Sequence, residues 1–406
     1  MNLKKELKAE LLQEFSYQRQ MSDEEVAQMI DETIMKRADI QPIKLKERLK
    51  LQKELFDSVR RLDILQELVD DPAITEIMVN GPDAIYIETE GKIGGWDQSF
   101  ESKEQLLDLI RQIVSRVNRI VNTTTPIVDA RLQDGSRVHV VLEPIAINGP
   151  ILTIRKFPKP MTMERLLEYG SISNEAAEAL KILTAAKYNI FVSGGTGSGK
   201  TSMLNALSEF IPDDERVITI EDSAELNLSH IRNLVRMETR EANAEGEGAI
   251  GIGELIRASL RMRPDRIIVG EVRGKEAIDM LQALNTGHGG FSTGHSNSVK
   301  DMLGRLETMV LSAANLPLPA IRSQIVSAVD IMVHVARLRD KSRRVVAIEE
   351  VDRIENGEII MNPLFSFFQE TEAHHSEKVE GTLAKVGELK HREKLEFAGL
   401  RWTETP

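Results

Sequence analysis

The sequence predicts an α/β protein with a mainly parallel C-terminal sheet, covered by helices on both faces. Beyond residue 160, short apolar strands alternate with helical segments, which is typical of parallel β-α units. A glycine-rich phosphate-binding motif follows the first of these strands, and a separate α+β pattern lies upstream. The strands are expected at 190–193, 217–221, 234–238, 267–269 and 331–335.

Composition limits what the chain can be. Its 406 residues suffice for two or three domains, and 41% hydrophobic with 29% charged residues is ordinary for a globular protein. A net charge of −12 argues against binding nucleic acid or acidic lipid over the whole surface, and the lack of cysteine excludes disulfides. The N-terminus is too charged for a signal peptide, and no apolar run approaches the roughly 20 residues that span a bilayer. The expected location is cytoplasmic.

Five segments are expected along the chain. The helices of the first segment pack on each other or on something else, or form a solvated arm. Within the fourth segment, the glycine- and glutamate-rich residues 241–251 are predicted to form a mobile loop. The segments are a helical extension (1–55), an α+β domain (56–155), a proline-marked linker (156–175), the parallel α/β domain (176–368) and a polar, loosely packed tail (369–406).

The α+β domain is predicted from hairpin and capping signals. A helix capped by Ser102 and Gln105 is expected to run to Ile120. A hairpin over 128–142 turns at Asp134-Gly135. A two-residue turn there would place Arg131 and Arg137 on opposite faces of the hairpin. Further strands are expected at 75–80, 85–88 and 151–155.

The phosphate-binding motif is the most specific signal in the chain. Residues 194–201 fit the pattern G-x-x-x-x-G-K-S/T between a buried strand and a helix. Glycines let successive backbone N–H groups turn inward around a polyphosphate, and the helix dipole favours the same anion. Lys200 would reach the β and γ oxygens of ATP, and the Thr201 hydroxyl would ligate Mg²⁺. The expected nucleotide-binding residues are Gly194, Gly195, Thr196, Gly197, Ser198, Gly199, Lys200 and Thr201.

Acidic side chains are expected beside this motif. Glu271 follows the strand at 267–269, and Glu221 ends the strand at 217–221. A carboxylate at the C-terminal end of a parallel strand can hold the Mg²⁺ hydration shell or polarise the attacking water. Glu271 is the candidate for Mg²⁺ through water, and either glutamate could be the catalytic base. Glu225 is expected to support the loop structurally, and the role of Asp222 stays open.

Histidine and arginine side chains complete the candidate site. His295 could report a γ-phosphate to the neighbouring strand or only pair with local backbone, and local pairing is favoured for His288. Three arginines of the α+β domain could stabilise the negative charge that develops in phosphoryl transfer, if both domains enclose the nucleotide. Solvated surface arginines are the alternative. These three are Arg131, Arg137 and Arg155.

Together, these motifs resemble the secretion ATPase superfamily, which drives type II secretion, type IV secretion and type IV pilus machines. Residues 260–273 match its signature, L-R-x-x-P-D-x, three aliphatic residues and G-E-V-R. Residues 218–225 and 286–297 are similar to its aspartate and histidine boxes, and 128–138 and 152–157 to its nucleotide-facing segments. Residues 74–81 and 305–310 resemble the CpaF-like branch, which assembles Tad/Flp pili. The resemblance covers about residues 60–355.

The resemblance implies a C-terminal RecA-like P-loop NTPase domain, joined flexibly to an N-terminal α+β domain that follows the helical extension. It implies a ring of six copies with ATP between the two domains, hydrolysis by Glu221 and Glu271, and phosphate sensing by the three arginines. The implied partner is an inner-membrane platform protein of a pilus or secretion system. Direct nucleic acid binding is not expected, and the protein would reach the inner face of the membrane only through partners.

The leading functional hypothesis is a motor ATPase that powers Tad or type IV-like pilus assembly, or type II/IV secretion, through nucleotide-driven domain closure. One alternative is a DNA-conjugation or pilus-retraction ATPase of the same family. A P-loop kinase, a nucleotide-gated scaffold and a purely structural adaptor are further alternatives. A kinase needs an acceptor pocket, whereas the acidic pair here suits the activation of water.

Overall fold

The chain folds into two compact units, Met1–Pro158 and Lys159–Pro406. The structure, a computed structural model, describes residues 3–15, 21–38, 43–89, 92–117, 119–156, 161–228, 230–240, 242, 247–370 and 378–402. The proline-marked residues 157–160, and residues 241 and 243–246 of the predicted mobile loop, lie outside the described residues.

The helical extension forms a bundle in the first unit. Ser22 begins the second helix with a capping box, since Glu25 N donates to Ser22 Oγ at 3.2 Å and Ser22 N donates to Glu25 Oε2 at 2.7 Å. The three helices pack on each other, as their shared buried cluster shows, and the solvated-arm alternative is wrong. Helices α1 (Leu3–Phe15), α2 (Asp23–Ala38) and α3 (Leu45–Arg60) bury a common cluster of Leu7, Leu11, Val26, Ile30, Ile34 and Leu55.

The rest of the first unit is a six-stranded antiparallel sheet that shares one apolar core with its helices. These helices are a 3-10 turn (Asp63–Leu65), α4 (Gln66–Asp70) and α5 (Lys103–Arg116). Helix α5 ends before the predicted Ile120, which is 74% exposed. The strands, in the order β3-β2-β1-β6-β5-β4, are β1 (Ile74–Asn80), β2 (Ile85–Thr89), β3 (Lys92–Trp96), β4 (Ile127–Arg131), β5 (Arg137–Val141) and β6 (Ile151–Arg155).

The second unit is built on a nine-stranded sheet in the order β15-β14-β13-β12-β7-β11-β10-β8-β9. Its parallel part comprises β7 (Ile190–Gly194), β8 (Arg216–Glu221), β9 (Asn233–Glu238), β10 (Arg266–Val269), β11 (Gly289–His295) and β12 (Ile331–Arg337). An antiparallel extension comprises β13 (Arg343–Glu355), β14 (Glu358–Gln369) and β15 (Gly381–Lys385). All five strands predicted for the parallel sheet are present.

Helices cover both faces of this sheet. One core includes side chains of α6 (Met163–Glu168), α7 (Asn174–Ala185) and α8 (Lys200–Ser208). The other includes side chains of α9 (Ile252–Ser259), α10 (Ala277–Leu284), α11 (Val299–Ala313) and α12 (Leu318–Ala328). Burial on both faces explains the continuous apolar character of the central strands. None of the described helices is long and apolar enough to cross a membrane.

Less of the segment 156–175 is linker than the sequence predicted. Met163 and Leu166 of α6 are buried in the core of the second unit, and Ser173 caps α7 by accepting a hydrogen bond from Ala176 N. Most of the described part of 156–175 is therefore folded structure rather than linker.

The expectation of a loosely packed tail is wrong. Strand β15 pairs with β14, and helix α13 (Glu393–Ala398) follows it. The tail adds four apolar side chains to the core: Leu383, Leu389, Leu395 and Trp402. These residues are spaced singly in a polar sequence, so no periodic signal reveals them.

Candidate functional site

The phosphate loop connects β7 to α8, which begins at Lys200. Gly197 and Gly199 have φ angles of 69° and 101°, in the left-handed region that favours glycine. A Cβ on Gly194 would collide with the Val335 carbonyl oxygen. Gly195 differs, because the position of its missing Cβ has no atom within 4 Å. The folded chain thus explains three of the loop glycines and leaves open space at the fourth.

Lys200 lies over the loop that precedes it. Its Nζ donates to the carbonyl oxygens of Gly194 at 3.2 Å and Gly195 at 3.1 Å. Burial lowers the pKa of this amine, and the nearby Glu271 partly opposes the shift. Thr201 follows on α8 and is half-buried. The Ser198 hydroxyl is buried and has no hydrogen-bond partner within the described residues.

Glu221 and Glu271 lie at the C-terminal end of the parallel strands, as predicted. Strands β8 and β10 pair in parallel with Ile220 opposite Val269, so both glutamates follow the same end of the sheet. Gly270 leaves room for the first of them, since a Cβ there would lie 3.0 Å from Glu221 Cγ. Each glutamate has a buried Oε1 that accepts no hydrogen bond from the described part of the chain.

The backbone after β8 holds the other oxygen of Glu221. Its Oε2 accepts hydrogen bonds from Glu225 N at 2.8 Å and Leu226 N at 3.0 Å. Burial nevertheless raises the pKa of Glu221. Burial also raises the pKa of the neighbouring Asp222, which lies 3.8 Å from Arg273 Nη1. Through its backbone, Glu225 thus has the structural contact that was expected.

A connected line of side chains joins Lys200 to Glu271 through His295. His295 ends β11, between β7 and β10, and its Nδ1 lies 3.2 Å from Lys200 Nζ. Its Nε2 lies 2.9 Å from Glu271 Oε1, without the alignment of a hydrogen bond. Arg273 donates to Glu271 Oε2 at 2.9 Å. Burial and the Lys200 charge lower the pKa of His295.

His288 lies at the opposite end of the sheet from the phosphate loop. It precedes β11, and Thr286 Oγ1 lies 2.9 Å from its Nδ1. At roughly 3.3 Å per residue, the strand separates it from His295 by about 20 Å. Local pairing is the interpretation that fits His288.

Two side chains that no sequence motif predicted contact the phosphate loop or the strand that leads into it. His334 on β12 lies with Nδ1 2.8 Å from Ser193 Oγ and also hydrogen-bonds the backbone of Asn297. Arg343, at the start of β13, donates Nε to the Gly197 carbonyl at 2.8 Å. His334 is hidden in an apolar strand pattern, and Arg343 is 146 residues from its partner.

In the first unit, the three candidate arginines form one row. Arg131 pairs with Arg137, which pairs with Arg155, so these residues share one face of adjacent strands. Glu76 of β1 lies opposite Arg155, so a carboxylate residue continues this row. The structure therefore brings the three candidate arginines together.

The hairpin turns at Asp134-Gly135 as predicted, but its loop is longer than two residues. Leu132 N donates to Ser136 O at 2.9 Å, and Asp134 accepts from Ser136 N at 2.9 Å. The extra loop residues return Arg137 to the face that carries Arg131, whereas a two-residue turn would have separated them.

The fold and the loop define the class of protein. The second unit is a RecA-like P-loop NTPase domain, and an N-terminal α+β domain with a helical extension precedes it. This confirms the fold class expected from the sequence.

Comparison with known proteins identifies the family. Residues 59–384 match the model of the type II/IV secretion system protein family, and the chain belongs to this family. A putative conjugal transfer protein of Mycobacterium tuberculosis is 35% identical over 293 residues, covering 70% of this chain and 83% of that protein. The type IV secretion system protein PtlH of Bordetella pertussis is 34% identical over 307 residues, covering 68% and 89%.

A solved structure supports the same fold. The pilus retraction motor PilT with bound ADP has a TM-score of 0.54 at 19% identity, covering 74% of this chain and 82% of that chain. The chain is therefore a type II/IV secretion system protein that shares its fold with this motor. The CpaF-like branch stays a prediction.

Proposed function

We propose that this chain hydrolyses ATP and drives assembly of a Tad or type IV-like pilus, or a type II/IV secretion machine. The line from Lys200 through His295 to Glu271 is the observation that carries this proposal. It connects a phosphate-binding loop to a carboxylate that could orient or activate water.

The loop residues fit ATP with Mg²⁺. Backbone N–H groups of residues 195–200 and the open space at Gly195 would accept the phosphates. Lys200 would bind the β and γ oxygens, and the Thr201 hydroxyl would hold Mg²⁺. The Glu271 carboxylate would hold the ion's hydration shell. When bound, Mg²⁺ supplies positive charge that stabilises the transferring phosphoryl group.

The two glutamates are the candidates for orienting the attacking water and accepting its proton. Glu221 combines a fixed Oε2 with an unpartnered Oε1, and its raised pKa favours proton uptake. Glu271 combines an Arg273 contact with the link to His295. In Glu221, the Oε1 atom is the buried carboxylate oxygen that could accept a hydrogen bond from water.

The arginine row would act on the same nucleotide from the first unit. Arg131, Arg137 and Arg155 would stabilise the charge that develops on the γ-phosphate, which is where an arginine contributes most to phosphoryl transfer. Closure of the two units on ATP and their release after hydrolysis would provide the movement. A ring of six copies would pass this movement to an inner-membrane platform protein, placing the chain at the inner face of the membrane.

Glu271→Gln and Glu221→Gln, each alone and combined, test the hydrolase assignment. We expect phosphate release to fall at least about 100-fold in the double variant, with ATP-analogue affinity within about threefold, because each change removes a base and keeps its shape. The double variant, sized with ATP, should show the six-copy ring. Glu178→Gln, on the exposed surface of α7, is the control for the loss of a carboxylate.

Unchanged phosphate release in the double variant would contradict hydrolysis by these residues. Phosphate transfer to a protein or small molecule, rather than to water, would favour the kinase alternative. The similarity to a protein named for conjugal transfer favours a DNA-conjugation motor as second candidate. Deletion of the gene separates the two, since loss of pili supports assembly and loss of DNA transfer supports conjugation.

A further inference from the structure

We infer that Arg343 is a positioning residue that holds the phosphate loop in its binding shape, and that the tail supports it through Asp340. This inference rests on the proposed binding of ATP by that loop. Arg343 Nε donates to the Gly197 carbonyl at 2.8 Å. A Cβ on Gly199 would lie 3.5 Å from Arg343 Cδ, so the side chain follows the outer side of the loop.

Arg343 supplies a hydrogen-bond donor that a phosphate-binding loop needs on its outer side. When backbone N–H groups turn inward around an anion, carbonyl groups of the same loop turn outward and need donors. Gly197 and Gly199 have positive φ angles, and glycine loses more backbone freedom on ordering than any other residue. A donor fixed on the Gly197 carbonyl restricts the loop before ATP binds, which lowers the entropy cost of binding.

The hairpin between β12 and β13 holds Arg343 in place. Asp340 accepts from Ser342 N at 3.0 Å and Ser342 Oγ at 2.6 Å. It also accepts from Val379 N, in the tail, at 2.8 Å. These hydrogen bonds lower the pKa of Asp340 to about 2, so its carboxylate stays charged at neutral pH.

Two neighbouring arginines, Arg344 and Arg337, differ from Arg343 in their contacts. Arg344 donates to the carbonyl oxygens of Gly170 at 3.1 Å and Val379 at 3.2 Å, which ties the hairpin to the body of the unit. Arg337 lies opposite Arg343 across the β12–β13 pair. Arg337 makes no hydrogen bond to the phosphate loop in the described part of the chain, which makes it a matched control for charge.

The test compares Arg343→Gln, Arg343→Lys and the control Arg337→Gln in the full chain. We expect Arg343→Gln to raise KM for ATP and Kd for ADP about 3- to 10-fold, the effect of one lost hydrogen bond. The value of kcat should stay within about twofold, because bound phosphates fix the loop. Arg343→Lys should restore less than half of the loss, and Arg337→Gln should change KM less than twofold.

Asp340→Ala tests the support from the tail. It should raise KM in the same direction as Arg343→Gln, and the double variant should be no worse than Arg343→Gln alone, since both act through one contact. Thermal unfolding of every variant checks that the fold persists. Full rescue by lysine, or an equal effect of Arg337→Gln, would overturn the positioning role in favour of bulk charge. Additive effects would overturn the role of Asp340.

The outcome also separates this inference from the proposed function. Wild-type protein that binds no ADP and releases no phosphate would contradict the proposed function. Wild-type protein that does both, with Arg343→Gln unchanged in KM and Kd, would contradict only the role of Arg343.

Discussion

His295 connects a cation to an anion, and its protonation state determines how it does so. An ammonium group can only donate, so the contact with Lys200 Nζ requires an unprotonated Nδ1. The proton of the neutral ring is then on Nε2, which faces Glu271. Burial and the Lys200 charge lower the pKa of His295, which favours this neutral form. Protonation would turn both ring nitrogens into donors and oppose Lys200.

Activity should therefore fall as the pH drops through the lowered pKa of His295. His295→Gln cannot titrate but keeps a donor and an acceptor, so it should lose this acid limb while retaining nucleotide binding. Phosphate release measured from pH 5 to 8 checks this. The raised pKa of Glu221 leaves a second acid limb in both proteins. An acid limb of His295→Gln that is superimposable on that of the wild type would contradict the prediction.

Residues in short local motifs were predictable, and those that act across the fold were not. Lys200 and Glu271 each sit in a run whose spacing specifies its chemistry. His295 stayed open between two roles, because only the neighbouring strands show what it touches. Arg343 and His334 had no motif at all, since their partners come from distant parts of the sequence.

Strand β11 shows how close packing can hide an element. Its composition, with glycines at 289, 290 and 294, is unfavourable for strands and typical of loops. A Cβ on Gly290 would collide with Leu284, and one on Gly294 would lie 2.7 Å from Met302 Cε. Helices α10 and α11 can approach the sheet closely at these positions, and this places His295 beside the phosphate loop.

Gly290→Ala and Gly304→Ala should have opposite effects on stability. The added methyl at 290 meets Leu284 and the Ile267 carbonyl, and overpacking of this kind costs about 1–3 kcal/mol. Gly304 lies exposed within α11 with no atom within 4 Å of its Cβ position. Alanine there should stabilise by about 0.5–1 kcal/mol. Denaturant unfolding checks both, and equal shifts of the two variants would contradict the packing explanation.

The tail is the segment for which the structure differs most from the sequence prediction. Glu350 of β13 is buried and accepts hydrogen bonds from Lys390 N at 3.0 Å and His391 N at 2.8 Å. Tyr188, which precedes β7, donates its Oη to the His391 carbonyl oxygen at 2.7 Å. A polar sequence can thus be tightly held when its backbone supplies the hydrogen-bonding groups.

At the scale of the whole molecule, the candidate site residues are divided between two units that have separate cores. The phosphate loop, both glutamates and His295 belong to the second unit, and the arginine row belongs to the first. The sequence pattern predicted this division, because the hydrophobic period and the turn signals change near residue 160. Pairing of the three arginines depended on a loop length that the pattern did not reveal.

Separating the units tests whether the arginine row acts on the nucleotide. The second unit, residues 159–406, contains its own cores and the phosphate loop, so alone it should fold and bind ADP. Its phosphate release should be at least about 100-fold slower than that of the whole chain, given the contribution of arginine to phosphoryl transfer.

The whole chain with Arg131, Arg137 and Arg155 changed to Gln is the matched control. It keeps both units covalently linked and removes only the three charges, so it should be as slow as the isolated second unit. If the isolated unit is slow but the triple variant is not, the first unit contributes through closure rather than through its arginines. If the isolated unit hydrolyses ATP as fast as the whole chain, the row has no part in the reaction, because catalysis would then need only the residues beside the phosphate loop.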